Sequence, residues 1–62
     1  MKKNSRIFVA GHRGLVGSAI WKSLENKGYS YLIGRTHKEL DLEDPAAVRE
    51  FFDREKPEYV FL

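Results

Sequence analysis

Apolar and polar positions alternate along this chain with two different periods. Ile7-Phe8-Val9-Ala10 is an unbroken apolar run ending at Gly11, which predicts a strand covered on both faces and therefore a parallel sheet. From Leu15 the spacing lengthens. Val16, Ala19, Ile20 and Leu24 mark one face of a helix that Lys27-Gly28 closes. Tyr31-Leu32-Ile33 predicts a second short buried strand, ending at Gly34. Leu40 and Leu42 alternate within the polar stretch Arg35 to Leu42 and predict a short third strand. Asp44-Pro45 marks a second helix start, a carboxylate cap followed by proline at the first helical position. Val48, Phe51 and Phe52 form that helix's apolar face, Pro57 ends it, and Tyr59-Val60-Phe61-Leu62 predicts a final buried strand.

The predicted order is β-α-β-β-α-β, with each long crossover helical. Crossovers between parallel strands are right-handed. Placing the last strand beside the first, away from the second, then puts the two helices on opposite faces of the sheet. The expected fold class is α/β, with strand order 3-2-1-4, one half of a doubly wound sheet. A chain that ends in an apolar strand with no covering helix reads as the N-terminal piece of a larger protein.

Composition narrows the function. At 62 residues the chain is about half an ordinary domain. It has no cysteine, so it carries no disulfide framework and no thiolate metal site. His12 and His37 lie too far apart in sequence to pair as zinc ligands, and no metal site is expected. No apolar run approaches the roughly 18 residues of a membrane span, and no membrane partner is expected. The basic start is followed only by Ile7 to Ala10, too short an apolar run for a signal peptide, so a cytoplasmic location is expected.

Charge is distributed unevenly. The net charge is +2, but eight of the eleven cations and only one acid, Glu25, precede Glu39. No aromatic residues interleave with these cations and no helix carries a basic stripe, which argues against nucleic acid. Ordinary solvated charge and a small phosphate ligand remain.

Gly11-His12-Arg13-Gly14-Leu15-Val16-Gly17 falls between the first strand and the first helix. Gly11 suits the tight turn out of the strand, Gly14 lets the loop approach a pyrophosphate, and Gly17 lets the helix pack on the strand. The amide groups at the helix start then bind the anion. A Walker loop is excluded because no lysine follows these glycines, and a kinase loop because a helix follows rather than a strand. Glycines that serve only a tight turn remain the plainer reading. The context otherwise predicts residues 1–62 as the N-terminal portion of a dinucleotide-binding Rossmann domain.

The end of the second strand bears on the cofactor. An NAD site usually places an acid there to accept from the ribose 2′-hydroxyl. This chain has Gly34-Arg35-Thr36-His37-Lys38 and no acid before Glu39. Arg13 and Arg35 together favour NADP(H), because guanidinium groups hold a 2′-phosphate by charge-assisted hydrogen bonds. Each alone also reads as plain surface charge. Asp41 reads either as an acceptor for the adenine amino group, with Leu42 on the ring, or as a turn acid serving the following helix. Trp21 reads as packing. No tyrosine has a lysine four residues later, and no serine has a general base in reach by spacing, so no catalytic residue is expected within these residues.

The Gly-x-x-Gly-x-x-Gly spacing, the Asp-Leu-x-Asp element and the strand order resemble the extended short-chain dehydrogenase/reductase family. The His12-Arg13 pair inside the glycine loop and the short gap before Glu39-Leu40-Asp41-Leu42 are the specific parts of the likeness. The resemblance implies an NADPH-dependent epimerase-reductase acting on a nucleotide-sugar, GDP-4-keto-6-deoxy-D-mannose, with epimerisation at C3 and C5 before hydride delivery to the C4 ketone. Its Ser and Tyr-x-x-x-Lys residues, and a Cys and His for epimerisation, would lie beyond Leu62. A homodimer is expected of the intact protein. The cofactor-binding residues carried over are Gly11 to Gly17 and the segment His37, Lys38, Glu39, Leu40, Asp41 and Leu42; Arg35 is added on charge alone. Two alternatives remain: another nucleotide-sugar epimerase or dehydratase that retains bound NAD, and a non-catalytic NADP-sensing module.

Overall fold

In a computed structural model, which describes residues 1–62, the chain forms β1 (Ile7–Ala10), α1 (Leu15–Asn26), β2 (Leu32–Arg35), α2 (Pro45–Glu55) and β3 (Tyr59–Phe61). The three strands make one parallel sheet in the order β2-β1-β3. Ile7 lies opposite Leu32 on one side and Tyr59 on the other, so all three strands end at the same edge. This is the α/β, Rossmann-type arrangement that the apolar pattern predicts.

The central strand explains its own composition. Successive side chains of a strand point to opposite faces. Ile7 and Val9, both 0% exposed, pack with Leu24, Ile20 and Trp21 of α1. Phe8, 1% exposed, packs on the other face with Ile33, Leu40 and Phe51. The Phe8 and Phe51 rings meet at 4.6 Å with a 52° tilt, a separation within the range of interacting aromatic pairs. The helices therefore cover opposite faces, as expected.

Local chemistry sets the helix ends. After α1, Tyr29 N–H donates to Leu24 O and Gly28 N–H donates to Glu25 O, with Gly28 at φ +89°. This is the paired bonding of a Schellman cap, which satisfies carbonyls the helix leaves open. Asp44 caps α2: its Oδ1 accepts from Ala46 N–H at 3.1 Å and Ala47 N–H at 3.2 Å, and Pro45 occupies the first helical position.

Four expectations need correction. Tyr31, expected in the buried second strand, precedes β2 and is 48% exposed. The third strand does not form, so the predicted order 3-2-1-4 reduces to the three strands observed. Thr36 N–H donates to the Glu39 carboxylate, Leu40 N–H to Thr36 O and Glu43 N–H to Asp41 Oδ1. These short-range bonds occupy donors that a strand ladder would need. The inward face of α1 is also turned by one position: Gly17, Ile20, Trp21 and Leu24 face the sheet, while Val16 is 69% exposed. The final strand is not buried, for Tyr59 and Val60 on this sheet edge are 43% and 39% exposed.

Replacing Asp44 by Ala removes both cap acceptors. The expected loss is about 1 kcal/mol, read as a lower denaturation midpoint with an unchanged slope.

Candidate functional site

The sheet's carboxyl edge holds the site. β1 leaves the sheet at Ala10, and Gly11 turns the chain with φ +63°, a conformation that costs glycine little. Gly11 N–H still donates to Arg35 O of β2 at 2.9 Å, and Gly11 O accepts from Gly14 N–H at 2.9 Å. The loop is thus closed by its own backbone. Gly14 then stands at the N-cap of α1 with no side-chain cap.

Gly17 fixes how closely α1 approaches. A Cβ there would overlap Gly11 O, lie 2.7 Å from Gly11 C and 3.1 Å from His12 Cα. Only a bare α-carbon fits. The first helical bond joins Ser18 N–H to Gly14 O at 2.8 Å. The amide groups of Leu15, Val16 and Gly17 therefore precede any carbonyl within the helix able to accept from them. Leu15 is 90% exposed, so this first turn opens to solvent. Free donors and the positive end of a helix dipole together form an anion site.

A cleft of about 520 Å³ runs along this edge, lined by Ala10, Gly11, Arg13, Gly14, Val16, Gly17, Ile20, Thr36, His37, Phe61 and Leu62. It lies at the carboxyl ends of the strands and reaches the end of β3, beside the β1/β3 boundary where the strand order reverses, the switch point at which doubly wound sheets take ligands. The residues present fit a dinucleotide. Gly14 and Gly17 leave the approach clear, the α1 amides are donors of the kind a diphosphate needs, and Arg13 stands at the cleft with an exposed side chain.

The other expected residues divide. His37 lines the cleft and Lys38 is exposed next to it. His12 points inward: its ring centroid lies 5.2 Å from that of Trp21, and a Cβ on Gly34 would overlap its Cγ and lie 2.6 Å from Cδ2 and Nδ1. Its Nδ1 is buried with no hydrogen-bond partner. Leu40 turns its side chain into the core at 6% exposure, so only its backbone is available to a ligand. Asp41 serves the turn, its Oδ1 accepting from Glu43 N–H at 2.9 Å, while Leu42 is 39% exposed. Arg35 leaves β2 on the α2 side, its NH2 3.7 Å from Glu55 Oε2.

The Glu39 carboxyl is held below its ordinary range. The largest cause is the hydrogen bond from Thr36 N–H at 2.8 Å; the Thr36 side chain, Arg13 and Arg35 act in the same direction, against desolvation. Thr36 Oγ1 in turn accepts from Glu39 N–H at 3.3 Å. This reciprocal pair is a capping box, and its Thr-x-x-Glu spacing was legible in the sequence. Thr36, a cleft residue, was missed because Leu40 and Leu42 suggested a strand. No three His, Asp or Glu side chains gather as a metal site. No helix is long and apolar enough to cross a membrane.

Residues 7–62 match the NAD dependent epimerase/dehydratase family. The chain is 57% identical over 60 residues to GDP-L-fucose synthase 1 of Arabidopsis thaliana, covering 97% of this chain and 19% of that protein. It is 51% identical over 57 residues to GDP-L-fucose synthase of Escherichia coli (strain K12), covering 92% of this chain and 18% of that protein. Among solved structures, a Campylobacter jejuni GDP-mannoheptose C4 reductase with NADP bound superposes with a TM-score of 0.94 at 48% identity, over 100% of this chain and 18% of that one. A C. jejuni GDP-D-glycero-L-gluco-heptose synthase, in the presence of NADPH, gives a TM-score of 0.95 at 48% identity, with the same coverage of 100% and 18%. The chain spans about a fifth of the length of these relatives.

Gly17→Ala is expected to lower stability by about 1–3 kcal/mol, the scale of overpacking, and to weaken dinucleotide binding, read by thermal melting and cofactor titration. In an NMR titration the Glu39 carboxyl is expected to protonate below the usual glutamate range. Because its folded pKa is lowered, its contribution to the Thr36–Glu39 turn holds above the ordinary glutamate pKa. It is lost as pH falls through the folded value.

Proposed function

The chain belongs to the NAD dependent epimerase/dehydratase family, and from that premise we propose that residues 1–62 are the N-terminal portion of the NADP(H)-binding domain of a GDP-sugar epimerase-reductase. Its proposed reaction converts GDP-4-keto-6-deoxy-D-mannose to GDP-L-fucose. The observation that carries this reading is the 57% and 51% identity, over nearly the whole chain, to two GDP-L-fucose synthases. The cleft geometry supports the cofactor role.

In this reading the amides of Leu15, Val16 and Gly17 bind the diphosphate, and the closed Gly11–Gly14 turn keeps side chains out of its path. Arg13 and Arg35 neutralise the 2′-phosphate of the adenosine ribose. The strand that would carry an acid in an NAD site ends in Arg35 instead. The nearest acid in sequence, Glu39, already accepts from Thr36 N–H. His37 and Lys38 flank the adenosine side of the cleft, and Asp41 and Leu42 lie beyond them on the following turn. His12 acts on the loop's packing rather than on the cofactor. When bound, NADPH supplies the hydride for the C4 ketone. The catalytic groups for epimerisation and protonation are proposed to lie outside these residues, and the intact protein is proposed to be a cytoplasmic homodimer.

A second reading, reduction of a GDP-linked heptose, draws on the two GDP-heptose enzymes of near-identical backbone. It shares the cofactor site and differs only in the sugar. Assay of the full-length protein with NADPH and each GDP-sugar separates the two readings. GDP-L-fucose as the product supports the first, and turnover of the heptose alone supports the second. Binding of NADPH with turnover of neither would leave a sensing module.

Arg13→Ala in the full-length protein is expected to weaken NADPH binding by about 1–3 kcal/mol, the scale of a lost hydrogen bond to a charged group. NADH binding is expected to change little. Fluorescence titration with both cofactors checks this, and equal losses would remove the 2′-phosphate assignment.

A further inference from the structure

Arg35 is held before any ligand arrives. Its NH1 donates to the carbonyl of Gly34 at 2.7 Å, and its guanidinium carbon lies 5.2 Å from the centroid of the Phe51 ring. Phe51 is itself 2% exposed and locked against Phe8, so the surface under the guanidinium does not shift. Glu55, the last residue of α2, closes the third side, with Oε2 3.7 Å from Arg35 NH2. That carboxylate is braced in turn. The same Oε2 lies 3.4 Å from Arg54 Nε, and Arg54 NH1 lies 3.5 Å from Glu50 Oε1.

We propose that Glu55 is a positioning residue that sets the preference for NADP(H) over NAD(H), by holding the Arg35 guanidinium in place for the 2′-phosphate. The proposal rests on the NADP(H) reading above. A guanidinium has five donors, and the contacts described leave some of them free for an anion. An unrestrained arginine gives up about 2 kcal/mol of rotamer entropy when a ligand fixes it. Here much of that ordering precedes binding, so less of it opposes association. Glu55 also repels a bound phosphate. Its side chain is 23% exposed and that of Arg35 is 29% exposed, so water and salt reach the pair and screen that repulsion. The tether is the stronger effect.

The test uses the full-length enzyme with Glu55→Ala and Glu55→Gln, steady-state kinetics with NADPH and with NADH, and thermal melting. Glu55→Ala is expected to raise KM for NADPH about fivefold, the scale of one exposed ion pair. Its kcat and its KM for NADH are expected to stay near the parent values. Glu55→Gln keeps an acceptor oxygen at the same reach and is expected to restore about half of the loss. It also carries the test if the alanine variant fails to fold, because its expected twofold rise is likewise confined to NADPH. A loss shared equally by NADH, an unchanged KM, or tighter NADPH binding overturns the proposal. Arg35→Ala separates the two layers of inference. If it leaves the preference for NADPH intact, the role given to Arg35 falls. If it abolishes that preference while both Glu55 variants are silent, only the role of Glu55 falls.

Discussion

The contact between α1 and the turn after β1 is the constraint from which the rest of this arrangement follows. At Gly17 the helix lies so close to Gly11 that the carbonyl oxygen of one occupies the side-chain position of the other. That approach fixes where the helix begins relative to the strand, and with it the direction of three amide groups that have no acceptor in the helix. It also determines which helical face turns inward. With residue 17 nearest the sheet, residues 20, 21 and 24 follow at helical spacing and cover Ile7 and Val9. Binding surface and core on this face thus have a common origin.

The opposite face has its own logic, and it ends at the same edge. Phe8, Ile33 and Phe51 form a core whose upper rim is Leu40, brought in by the turn that Thr36 and Glu39 close between them. The turn that seats a core residue therefore also presents Thr36 and His37 to the cleft. Electrostatics tie the two parts together. The Glu39 carboxyl is held below its ordinary range chiefly by a backbone amide that donates to it, with Arg13 and Arg35 adding to the effect from the two adjoining segments. A carboxylate satisfied in this way competes less for the guanidinium groups than its charge alone suggests.

Much of this was legible in the residues, and the failures share one cause. Ile7 to Ala10 and Asp44-Pro45 announce a buried strand and a capped helix because each signal is local and strong. Leu40 and Leu42 alternate like a strand, but only Leu40 reaches the core, and the Thr36-x-x-Glu39 spacing that decides the issue is equally local and was outweighed by hydrophobic alternation. Val16 fits the periodic face of α1, yet it belongs to the first turn, which extends past the sheet and lines the cleft. Periodicity gives the angle between side chains on a helix and says nothing of where the sheet edge lies. Arg35 shows the reverse case. Its charge is plain in the sequence, but its direction follows from strand parity: Ile33 faces α2, so residue 35 does too. The partner on α2, Glu55, is 20 positions away in sequence, and only the crossover brings it near.

Family membership leaves the choice of cofactor to a few side chains. The family is described as NAD dependent, while the two GDP-heptose enzymes that share this backbone are described with NADP or NADPH. A glycine turn of this kind does not separate the two dinucleotides, because the diphosphate it suits is common to both. Discrimination must come from the end of β2, where the ribose lies in folds of this type. An acid there accepts from a 2′-hydroxyl and repels a phosphate, and an arginine reverses both effects. In this chain Arg35 occupies that position, stacked on a buried ring and tethered to α2, while Arg13 lines the cleft beside the glycine turn. One positive group on a flexible surface is weak evidence of specificity. Two, one of them held in place by the core, are the physical basis of the NADP(H) assignment proposed above.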